Sequence, residues 1–565
     1  MLALGCALCV ARAQDYERIA PKLPPNAAAP TLPVPPPPVP EGASTAKLSV
    51  RLHALVFVSG ADRVRPSGLA DTTPPGIDAS QIPILNQAAF KAELARFLGQ
   101  TFSFADLEQI RLAANTWLRA HKRPFVDISI PPQNISNGVV QVVVTQYRVG
   151  SIKVAGAQYF SGDYIRDTSG IRPGQTLDVD DLHANMDRLN QNPFLTVDAV
   201  FSPGAETGLT DVTLNAVDRF PVRVYAGYDN LGIRSLDLNE YNVGVNWGNA
   251  FWLGHVLSYQ FTRTFNGRFT SHSLSDVIPL PWHDKLLVFG SFERQTPNIA
   301  SVFTEVGHSG QASLRYVHEL PRASGFTESL QIGYDFKSTD NNLDFSGFNI
   351  FAVQAEVDQF PLIYDASLAD RWGQTTIQNL FVFSPGRITG GNTTAALQKL
   401  VPGASADYVY DRFLVTRATT LPLKLTAITR ATLQVANGNL PNSEQLGGGG
   451  VGSVRGYYTD TAVGSEGVLA SQEIRFPVFS PSALAEVPFG DQLQFGAFFD
   501  YAHLTQVTAI ADVPRSIELA STGLNAHYLM GRYFDVQFDL GWRLRATASQ
   551  PHNGAFGQVA ITVGY

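Results

Sequence analysis

The stretch Val536-Gln537-Phe538-Asp539-Leu540-Gly541-Trp542-Arg543-Leu544 decides the fold, because apolar residues alternate along it with polar residues or glycine. Successive side chains of a β-strand point to opposite sides, so this segment has one apolar and one charged face. A soluble sandwich also alternates, with its polar face outside and its apolar face inside. Here the apolar face carries aromatic residues, which is typical of a membrane barrel with a water-filled lumen. We therefore predict a transmembrane β-barrel.

The predicted barrel extends over residues 219–565. From Phe220 onward, alternating strands follow one another and helical patterns nearly vanish. About sixteen candidate strands can be counted over this range, an even number, as expected for a single-chain bacterial barrel. The final strand runs to the aromatic residue Tyr565, which we interpret as a C-terminal assembly signal. That strand is expected to close the barrel on the first one.

Two similar units precede the barrel, at residues 46–147 and 148–218. Each shows the order β-α-α-β-β, which indicates an internal repeat of two α+β domains rather than two unrelated ones. The stretch Leu48 to Leu52 is predicted as the first strand, and Ser103 is predicted to cap a helix. The stretch Arg63 to Gln81 is expected to be an enlarged loop.

The N-terminal region divides into a predicted signal peptide at residues 1–13 and a Pro-rich linker at residues 14–45. Both cysteines of the chain, Cys6 and Cys9, fall in the signal peptide, so disulfides and thiol chemistry are not expected in the mature protein. Pro21 interrupts the only short helical stretch of the linker, and no plug helix is expected there.

Composition and motifs argue against several classes of function. The net charge of −8 gives no reason to expect nucleic acid as a partner. Mean hydropathy is close to zero, and no run of apolar residues after the leader is long enough for a membrane helix. No catalytic motif or metal-binding pattern is present. We therefore expect no enzyme activity, no catalytic residues, no metal and no cofactor.

A glycine-rich segment, Gly447 to Gly452, precedes Arg455, and some forty residues later Phe498 and Asp500 lie on a predicted barrel strand. No helix follows the glycines, so a dinucleotide-binding loop is excluded. Asp500 is on the face opposite to the apolar residues and is predicted to point into the lumen. A loop that folds inward would place Arg455 beside it, and the two would form a bidentate ion pair.

Four segments resemble one family. Val454-Arg455-Gly456-Tyr457 is similar to its loop-six signature, and Phe498-Phe499-Asp500 to its aromatic-x-Asp strand motif. Asn192-Pro193-Phe194 resembles the turn of its second POTRA domain, and Tyr225 to Asn230 resembles its first barrel strand. The chain is thereby similar to the two-partner secretion transporters, the TpsB proteins of the ShlB/FhaC/HecB haemolysin secretion/activation type.

The resemblance implies two periplasmic POTRA domains and a sixteen-stranded barrel in the bacterial outer membrane. It also implies that loop six, residues 437–463, enters the barrel and pairs Arg455 with Asp500. The implied partners are an unfolded TpsA-like exoprotein, outer-membrane lipid and the barrel-assembly machinery that inserts the protein. An assembly or insertase protein of the same superfamily remains an alternative, and a passive porin is a further one. Porins lack soluble domains before the barrel, and assembly proteins have a longer array of POTRA domains.

Overall fold

The structure is a computed structural model that describes residues 16–24, 42–70, 73–123, 125–206, 208–298, 303–321, 325–345, 348–486, 490–511, 513–548 and 550–565. The predicted signal peptide lies outside these ranges. The chain divides into two compact units, Asn26–Arg219 and Phe220–Tyr565, and the second includes the N-terminal segment up to Pro25. Within the described ranges, no helix is long and apolar enough to cross a lipid bilayer.

Short helices and strands alternate before the barrel. They are α1 (Tyr16–Ile19), β1 (Ala54–Val58), β2 (Gly76–Asp78), α2 (Ala88–Leu94), α3 (Phe104–Ala120), β3 (Val126–Ser129), β4 (Val139–Gln146), β5 (Arg148–Ala155), α4 (Gly162–Thr168), α5 (Val179–Leu189), β6 (Leu195–Pro203) and β7 (Leu209–Asp218).

The first α+β domain has a four-stranded sheet in the order β2-β1-β4-β3. β1 runs parallel to both β2 and β4, while β3 is antiparallel to β4. Phe90 of α2 and Ile110 of α3 are fully buried against Phe57 and Val142 of the sheet. The helices therefore cover one face of the sheet and build a core that belongs to this domain alone.

Two local predictions for this domain are wrong. The stretch Leu48 to Leu52 is not a strand, because its backbone bonds to the segment before α3: Leu48 N–H donates to the carbonyl of Phe102 and Leu52 N–H to that of Gln100. The first strand is β1 instead. The stretch expected to be only an enlarged loop contains β2, a short strand that pairs with β1.

The second α+β domain follows the predicted order of elements. Its three-stranded sheet has the order β5-β7-β6, with β5 parallel and β6 antiparallel to β7. Leu182 and Met186 of α5 are buried against Val197 and Leu214 of the sheet. The predicted fold class, two α+β domains followed by a sixteen-stranded barrel, is confirmed, and the first domain adds β2 to the predicted β-α-α-β-β order.

The barrel is built of long antiparallel strands, with short elements in its connections. These are β8 (Val222–Asp229), β9 (Glu240–Ala250), β10 (His255–Thr264), β11 (Phe269–Pro279), β12 (Lys285–Gln295), β13 (Phe303–Glu319), β14 (Phe326–Phe345), β15 (Phe348–Asp370), β16 (Gly373–Pro385), α6 (Thr394–Leu400), β17 (Asp407–Thr420), β18 (Thr426–Ala436), β19 (Leu446–Gly448), β20 (Ala462–Gly464), β21 (Glu466–Arg475), α7 (Pro481–Leu484), β22 (Asp491–Thr505), β23 (Ser516–Met530), β24 (Phe534–Arg543) and β25 (Ala555–Gly564).

Sixteen of these strands close into one barrel, in which each strand pairs with its neighbours in the chain and β25 pairs with β8. Only β19 and β20 stand apart as a separate two-stranded hairpin. The predicted faces are observed: Phe538 and Trp542 are exposed on the outside, while Asp539 is buried inside. Apolar side chains therefore face lipid and polar ones face the lumen.

The connections alternate between the two ends of the barrel. We call the end at which β8 begins the near end, and the other the far end. Counted from β8, the connection between β18 and β21 is the sixth at the far end, and it contains loop six. The fifth, between β16 and β17, contains α6. β14 and β15 are 20 and 23 residues long, far more than the roughly 9–11 residues that cross a bilayer, so this hairpin projects beyond the membrane.

The N-terminal segment 16–24 differs from its predicted role as part of a linker. It belongs to the barrel unit and contains the one-turn helix α1. Ile19 is buried with Leu236 and Phe269, both of the barrel unit. A helix this short is not stable by its sequence, since isolated helices need roughly 12–15 residues. Contacts with the barrel wall therefore hold it, and these could not be read from the sequence.

Candidate functional site

Loop six folds back into the barrel as a compact hairpin. Its strands β19 and β20 pair with each other rather than with the wall. Gly449 and Gly450 have positive φ angles of 105° and 92°, a backbone conformation that glycine adopts without strain. A Cβ on Gly448 would lie 2.7 Å from Leu504 of β22, so glycine also lets the hairpin approach the wall closely.

Arg455 and Asp500 form the bidentate pair predicted from the sequence. Arg455 Nε donates to Asp500 Oδ2 at 2.8 Å, and Nη2 donates to Oδ1 at 2.9 Å. The backbone N–H of Arg455 donates to the same Oδ2 at 3.1 Å. Their side chains are 5% and 0% exposed. Three hydrogen bonds therefore fix both the charge and the backbone of loop six to β22.

Two further carboxylates surround the same guanidinium, and the sequence did not point to them. Glu473 of β21 accepts from Arg455 Nη1 at 2.7 Å, and Asp539 of β24 accepts from the same nitrogen at 3.2 Å. Glu473 also pairs with Arg475 at 2.5 Å. In the sequence, the alternation of apolar and polar residues places both carboxylates on the lumen face. It does not indicate that they contact Arg455. Three strands thus converge on one arginine.

Phe498 adds a contact of a different kind. The guanidinium carbon of Arg455 lies 3.5 Å from the centroid of the Phe498 ring, which is the geometry of a cation–π interaction. Phe498 precedes Asp500 by two residues on β22, so the two side chains share the lumen face. The aromatic-x-Asp spacing therefore presents a ring face and a carboxylate to the same cation.

Gly456 extends the contact between loop six and the wall to β24 and β25. Its φ of 86° is in the left-handed region that favours glycine. Its N–H donates to Gln558 Oε1 of β25 at 3.0 Å, and its carbonyl accepts from Arg543 Nη1 of β24 at 2.9 Å. A side chain here would collide with the backbone of Gly541. Gly456 therefore allows the loop backbone to lie directly on the wall.

Tyr457 and Val454 bury the loop on either side of Arg455 and Gly456. The Tyr457 hydroxyl lies 2.7 Å from the carbonyl oxygen of Arg545 and accepts the Arg545 N–H at 3.2 Å. Val454 and Tyr457 are both fully buried in one cluster with Leu504 and Leu519 of the wall. The four residues of the predicted signature thus contact the barrel wall from β21 to β25.

The remaining predicted site residues lie elsewhere. Asn192, Pro193 and Phe194 form the turn from α5 to β6 in the second α+β domain, where the Asn192 Oδ1 accepts the Phe194 N–H at 3.1 Å. Phe194 is buried in the domain core. This motif belongs to the other compact unit and has a local structural role. Tyr565 follows β25 at the near end, where its N–H donates to the carbonyl of Val224 at 3.0 Å and its side chain is exposed.

A second lumen contact, not anticipated from the sequence, involves the N-terminal segment 16–24. Arg18 Nη1 donates to Glu240 Oε2 of β9 at 2.8 Å. The carbonyl of Ile19 accepts from Ser273 Oγ of β11 at 2.6 Å, and the N–H of Lys22 donates to the Tyr225 hydroxyl at 2.8 Å. This segment therefore lies against the wall from β8 to β11. In the closed order of strands, β8 comes directly after β25.

The two lumen contacts consist of ion pairs and hydrogen bonds between segments of the chain. Among the residues that the structure describes, no group of His, Cys, Asp and Glu side chains is arranged to hold a metal ion. The lumen groups pair with one another as salt bridges and hydrogen bonds, which hold two segments of chain in place. Such contacts hold a segment of chain against the barrel wall.

Comparison with known proteins identifies the family. The model of the haemolysin secretion/activation protein ShlB/FhaC/HecB matches residues 208–525, more than half of the chain. The chain belongs to this family. The heme/hemopexin transporter protein HuxB of Haemophilus influenzae (strain 86-028NP) is 22% identical over 473 residues, which are 79% of this chain and 80% of that protein.

Solved structures agree at the level of the fold. CdiB from Escherichia coli superposes with a TM-score of 0.75 at 18% identity, covering 95% of this chain and 94% of that one. CdiB from Acinetobacter baumannii gives a TM-score of 0.64 at 16% identity, with 97% and 95% covered. As a member of the ShlB/FhaC/HecB family, the protein is an outer-membrane transporter of two-partner secretion with its POTRA domains in the periplasm. The transporter prediction is confirmed over the passive porin and the assembly protein.

Proposed function

We propose that this transporter exports one unfolded, TpsA-like exoprotein through its lumen, and that loop six is the latched segment the exoprotein must pass. The observation that carries the proposal is the burial of Arg455 against Asp500, Glu473 and Asp539. A loop on the outside of a passive pore has no need of a fully desolvated arginine, since burying an ion is costly unless it is paired. The pairing therefore favours a defined closed state.

The POTRA domains, proposed at residues 46–147 and 148–218, supply the capture step. In the second domain, β5 and β6 are the edge strands of the sheet. The start of β5 also bonds to residues 174–176, whereas among the described strands β6 pairs with β7 alone. An open sheet edge can bind an extended peptide by adding it as a further strand. An unfolded exoprotein offers such segments, whereas a folded one does not. We propose that these edges receive the exoprotein before it enters the lumen.

Two segments then occupy the lumen, on different parts of its wall. Loop six contacts β21, β22, β24 and β25, while the N-terminal segment 16–24 contacts β8 to β11. Passage of a polypeptide requires one or both to move. The sequence predicts the linker at residues 14–45, but residues 16–24 contact the barrel wall. We therefore propose that the linker begins after residue 24 and that it lets the N-terminal segment leave the lumen.

The other partners follow from the surfaces of the barrel. Its apolar outer face fits outer-membrane lipid. Tyr565, the exposed aromatic residue that follows β25, fits a signal read by the barrel-assembly machinery. We propose no catalytic activity, no cofactor and no nucleic acid partner, because transport of an unfolded chain needs binding and release rather than bond chemistry.

A secretion experiment tests the proposal. The transporter and a TpsA-like exoprotein are expressed together in a Gram-negative host, and the exoprotein is measured in the medium and the periplasm. A chain lacking residues 46–147 should assemble its barrel, judged by heat-modifiable migration on gels, and leave the exoprotein in the periplasm. Normal secretion by that chain would reject the capture role, and secretion of a prefolded, disulfide-locked exoprotein would reject transport of an unfolded chain.

A further inference from the structure

Loop six has a second charged contact with the barrel wall, and the Arg455 site does not account for it. Glu444 precedes Arg455 in the loop and is 2% exposed. Its Oε1 accepts from Lys337 Nζ of β14 at 2.6 Å. Its Oε2 accepts from Gln359 Nε2 of β15 at 3.0 Å and from the Tyr410 hydroxyl of β17 at 2.9 Å.

The groups around Glu444 form a continuous hydrogen-bonded network. The Tyr408 hydroxyl donates to Gln359 Oε1 at 2.7 Å, which orients the amide so that its Nε2 faces Glu444. The same Nε2 also donates to Asp335 at 3.1 Å, and Asp335 pairs with Arg315 at 2.7 Å. A buried network with this many satisfied members fixes one conformation, because leaving any member without its partner is costly.

Glu444 and Arg455 contact strands on different parts of the barrel wall. In the closed order of strands, β14 and β24 are eight strands apart in a barrel of sixteen. Glu444 contacts β14, while Arg455 contacts β24 through Asp539. These two strands are opposite one another. The contacts of Glu444 and Arg455 therefore extend over half of the closed wall, from β14 to β24, with further contacts on strands between them.

The two contacts have opposite polarity. At one end a cation of the loop enters a group of wall carboxylates, and at the other an anion of the loop meets a wall ammonium. For the wall partner, a cationic exoprotein segment can therefore compete with the loop at the Arg455 end, and an anionic segment can compete with it at the Glu444 end. The Glu444 end also contacts the connection between β16 and β17, which we call loop five. Leu440 of loop six is buried with Leu397 of α6 and with Val401, the residue that follows α6.

We propose that Glu444 is a second wall anchor of loop six, so that the loop is strapped across the lumen between Lys337 on one side and the Arg455 site on the other. The inference rests on the proposed role of loop six as the segment that closes the pore. Glu444 acts as a positioning residue: it holds the outer part of the loop and the attached loop five over the lumen. Release of this end alone opens one side of the lumen and leaves Arg455 in place.

Thiol labelling tests each end of the strap separately, in the full-length protein in outer-membrane vesicles. Leu440→Cys reports on the Glu444 end and Val454→Cys on the Arg455 end, since both positions are fully buried. The parent chain, whose cysteines are Cys6 and Cys9, gives the background. A charged methanethiosulfonate reagent is added outside, and the labelling rates of the two reporters are compared.

Lys337→Glu should raise the labelling rate at position 440 by about tenfold or more, the change expected when a charge-assisted contact is lost, with little change at position 454. The exchanged pair Lys337→Glu with Glu444→Lys should restore slow labelling. Lys399→Glu, a charge reversal at an exposed lysine of α6, is the matched control and should change neither rate. If Lys337→Glu does not assemble, Glu444→Gln makes the same test with the side-chain shape preserved.

Three outcomes would overturn the second anchor. In the first two, Lys337→Glu leaves labelling at position 440 unchanged or accelerates labelling equally at both reporters. In the third, the exchanged pair does not restore slow labelling. Arg455→Gln separates this result from the proposed function. It should accelerate labelling at position 454. If it does so while Lys337→Glu changes nothing, the Arg455 latch stands and the strap fails. If neither substitution changes either rate, loop six is not a latched segment and both proposals fail.

Discussion

Gly456 of loop six lies directly against Gly541 of β24, with no room for a side chain on either residue. A Cβ on Gly456 would lie 2.8 Å from the Gly541 carbonyl oxygen, and a Cβ on Gly541 would lie 2.7 Å from the Gly456 Cα. Backbone atoms cannot move aside as a flexible side chain can. The closed position of loop six therefore requires glycine on both surfaces, one in the loop and one in the wall.

Substitution of Gly541 should release loop six without any change in charge. Gly541→Ala introduces a methyl group into the contact, while its backbone conformation is open to any residue. We expect larger and more frequent pore openings in planar bilayers. Gly557→Ala on the neighbouring β25 is the control, because a Cβ there meets nothing closer than 3.4 Å. Equal conductance in all three proteins would show that the glycine contact does not hold the loop.

Arg455 and Asp500 should not be equivalent, although they form a pair. Arg455→Ala leaves three buried carboxylates facing one another without their shared cation, whereas Asp500→Ala leaves Arg455 with Glu473 and Asp539. Breaking a buried pair costs about 3–5 kcal/mol when the remaining charge has no partner. We therefore expect the arginine substitution to impair secretion more strongly, and Arg430→Ala, at an exposed arginine of β18, to have little effect.

A double-mutant cycle measures the coupling between the two residues. Because the contacts are shared, the defect of Arg455→Ala with Asp500→Ala should be smaller than the product of the single defects. The carboxylate repulsion left by the first substitution is partly relieved by the second. Secretion is the readout, with barrel assembly checked separately. Purely multiplicative defects would mean that the two side chains act independently.

The sequence predicted the barrel and the Arg455–Asp500 pair because each depends on a local rule. Strict alternation assigns a face to every strand residue, and the motifs gave the two charges. The alternation places Glu473 and Asp539 on the lumen face. It does not predict their contact with Arg455, because it does not show which strands a loop will reach. The same limit applies to Glu444 and Lys337, which are separated by 107 positions in the chain.

In two segments before the barrel, tertiary contacts override the structure that the local sequence pattern predicts. The alternation of Leu48 to Leu52 fits a strand, but backbone bonds to Gln100 and Phe102 draw the segment away from the sheet. Pro21 does end the short helix α1, as its chemistry requires. The segment is nevertheless ordered, because Arg18 and Lys22 find partners on the wall. Tertiary contacts of this kind leave no periodic signal in a sequence.

Lipid-facing and lumen-facing positions of β24 should tolerate charge very differently. Leu540→Arg places a guanidinium on the outer face, which costs about 2–4 kcal/mol if the residue lies near the bilayer midplane. Gln537→Arg places the same group in the aqueous lumen and should cost much less. Guanidinium-induced unfolding in lipid vesicles measures both. Equal destabilisation would contradict the assignment of the two faces.

The helix cap of α3 offers a stability test outside the membrane. Residues 42–219 contain two separate cores and should fold without the barrel. Ser103 accepts the Asp106 N–H at 3.2 Å, and Asp106 accepts the Ser103 N–H at 2.7 Å. Ser103→Ala should lower the free energy of unfolding of this fragment by about 0.5–2 kcal/mol. Ser103→Asn keeps a capping acceptor and should lose much less, as measured by urea unfolding.

The same cap should give this fragment a defined response to acid. A hydrogen bond from the Lys47 ammonium, at 2.6 Å, and another from the Ser103 hydroxyl hold the pKa of Asp106 below its usual value. Because the folded-state pKa is depressed, the charged carboxylate stabilises the fold at pH values above the unfolded pKa, about 3.9. That contribution is lost as the pH falls through the folded pKa. We therefore expect Asp106→Asn to be less stable than the parent at neutral pH and to approach it as the pH falls through the depressed folded-state pKa. Urea unfolding from neutral to acidic pH measures the difference, and a gap between the two proteins that stays constant across that range would show that the charge of Asp106 does not contribute.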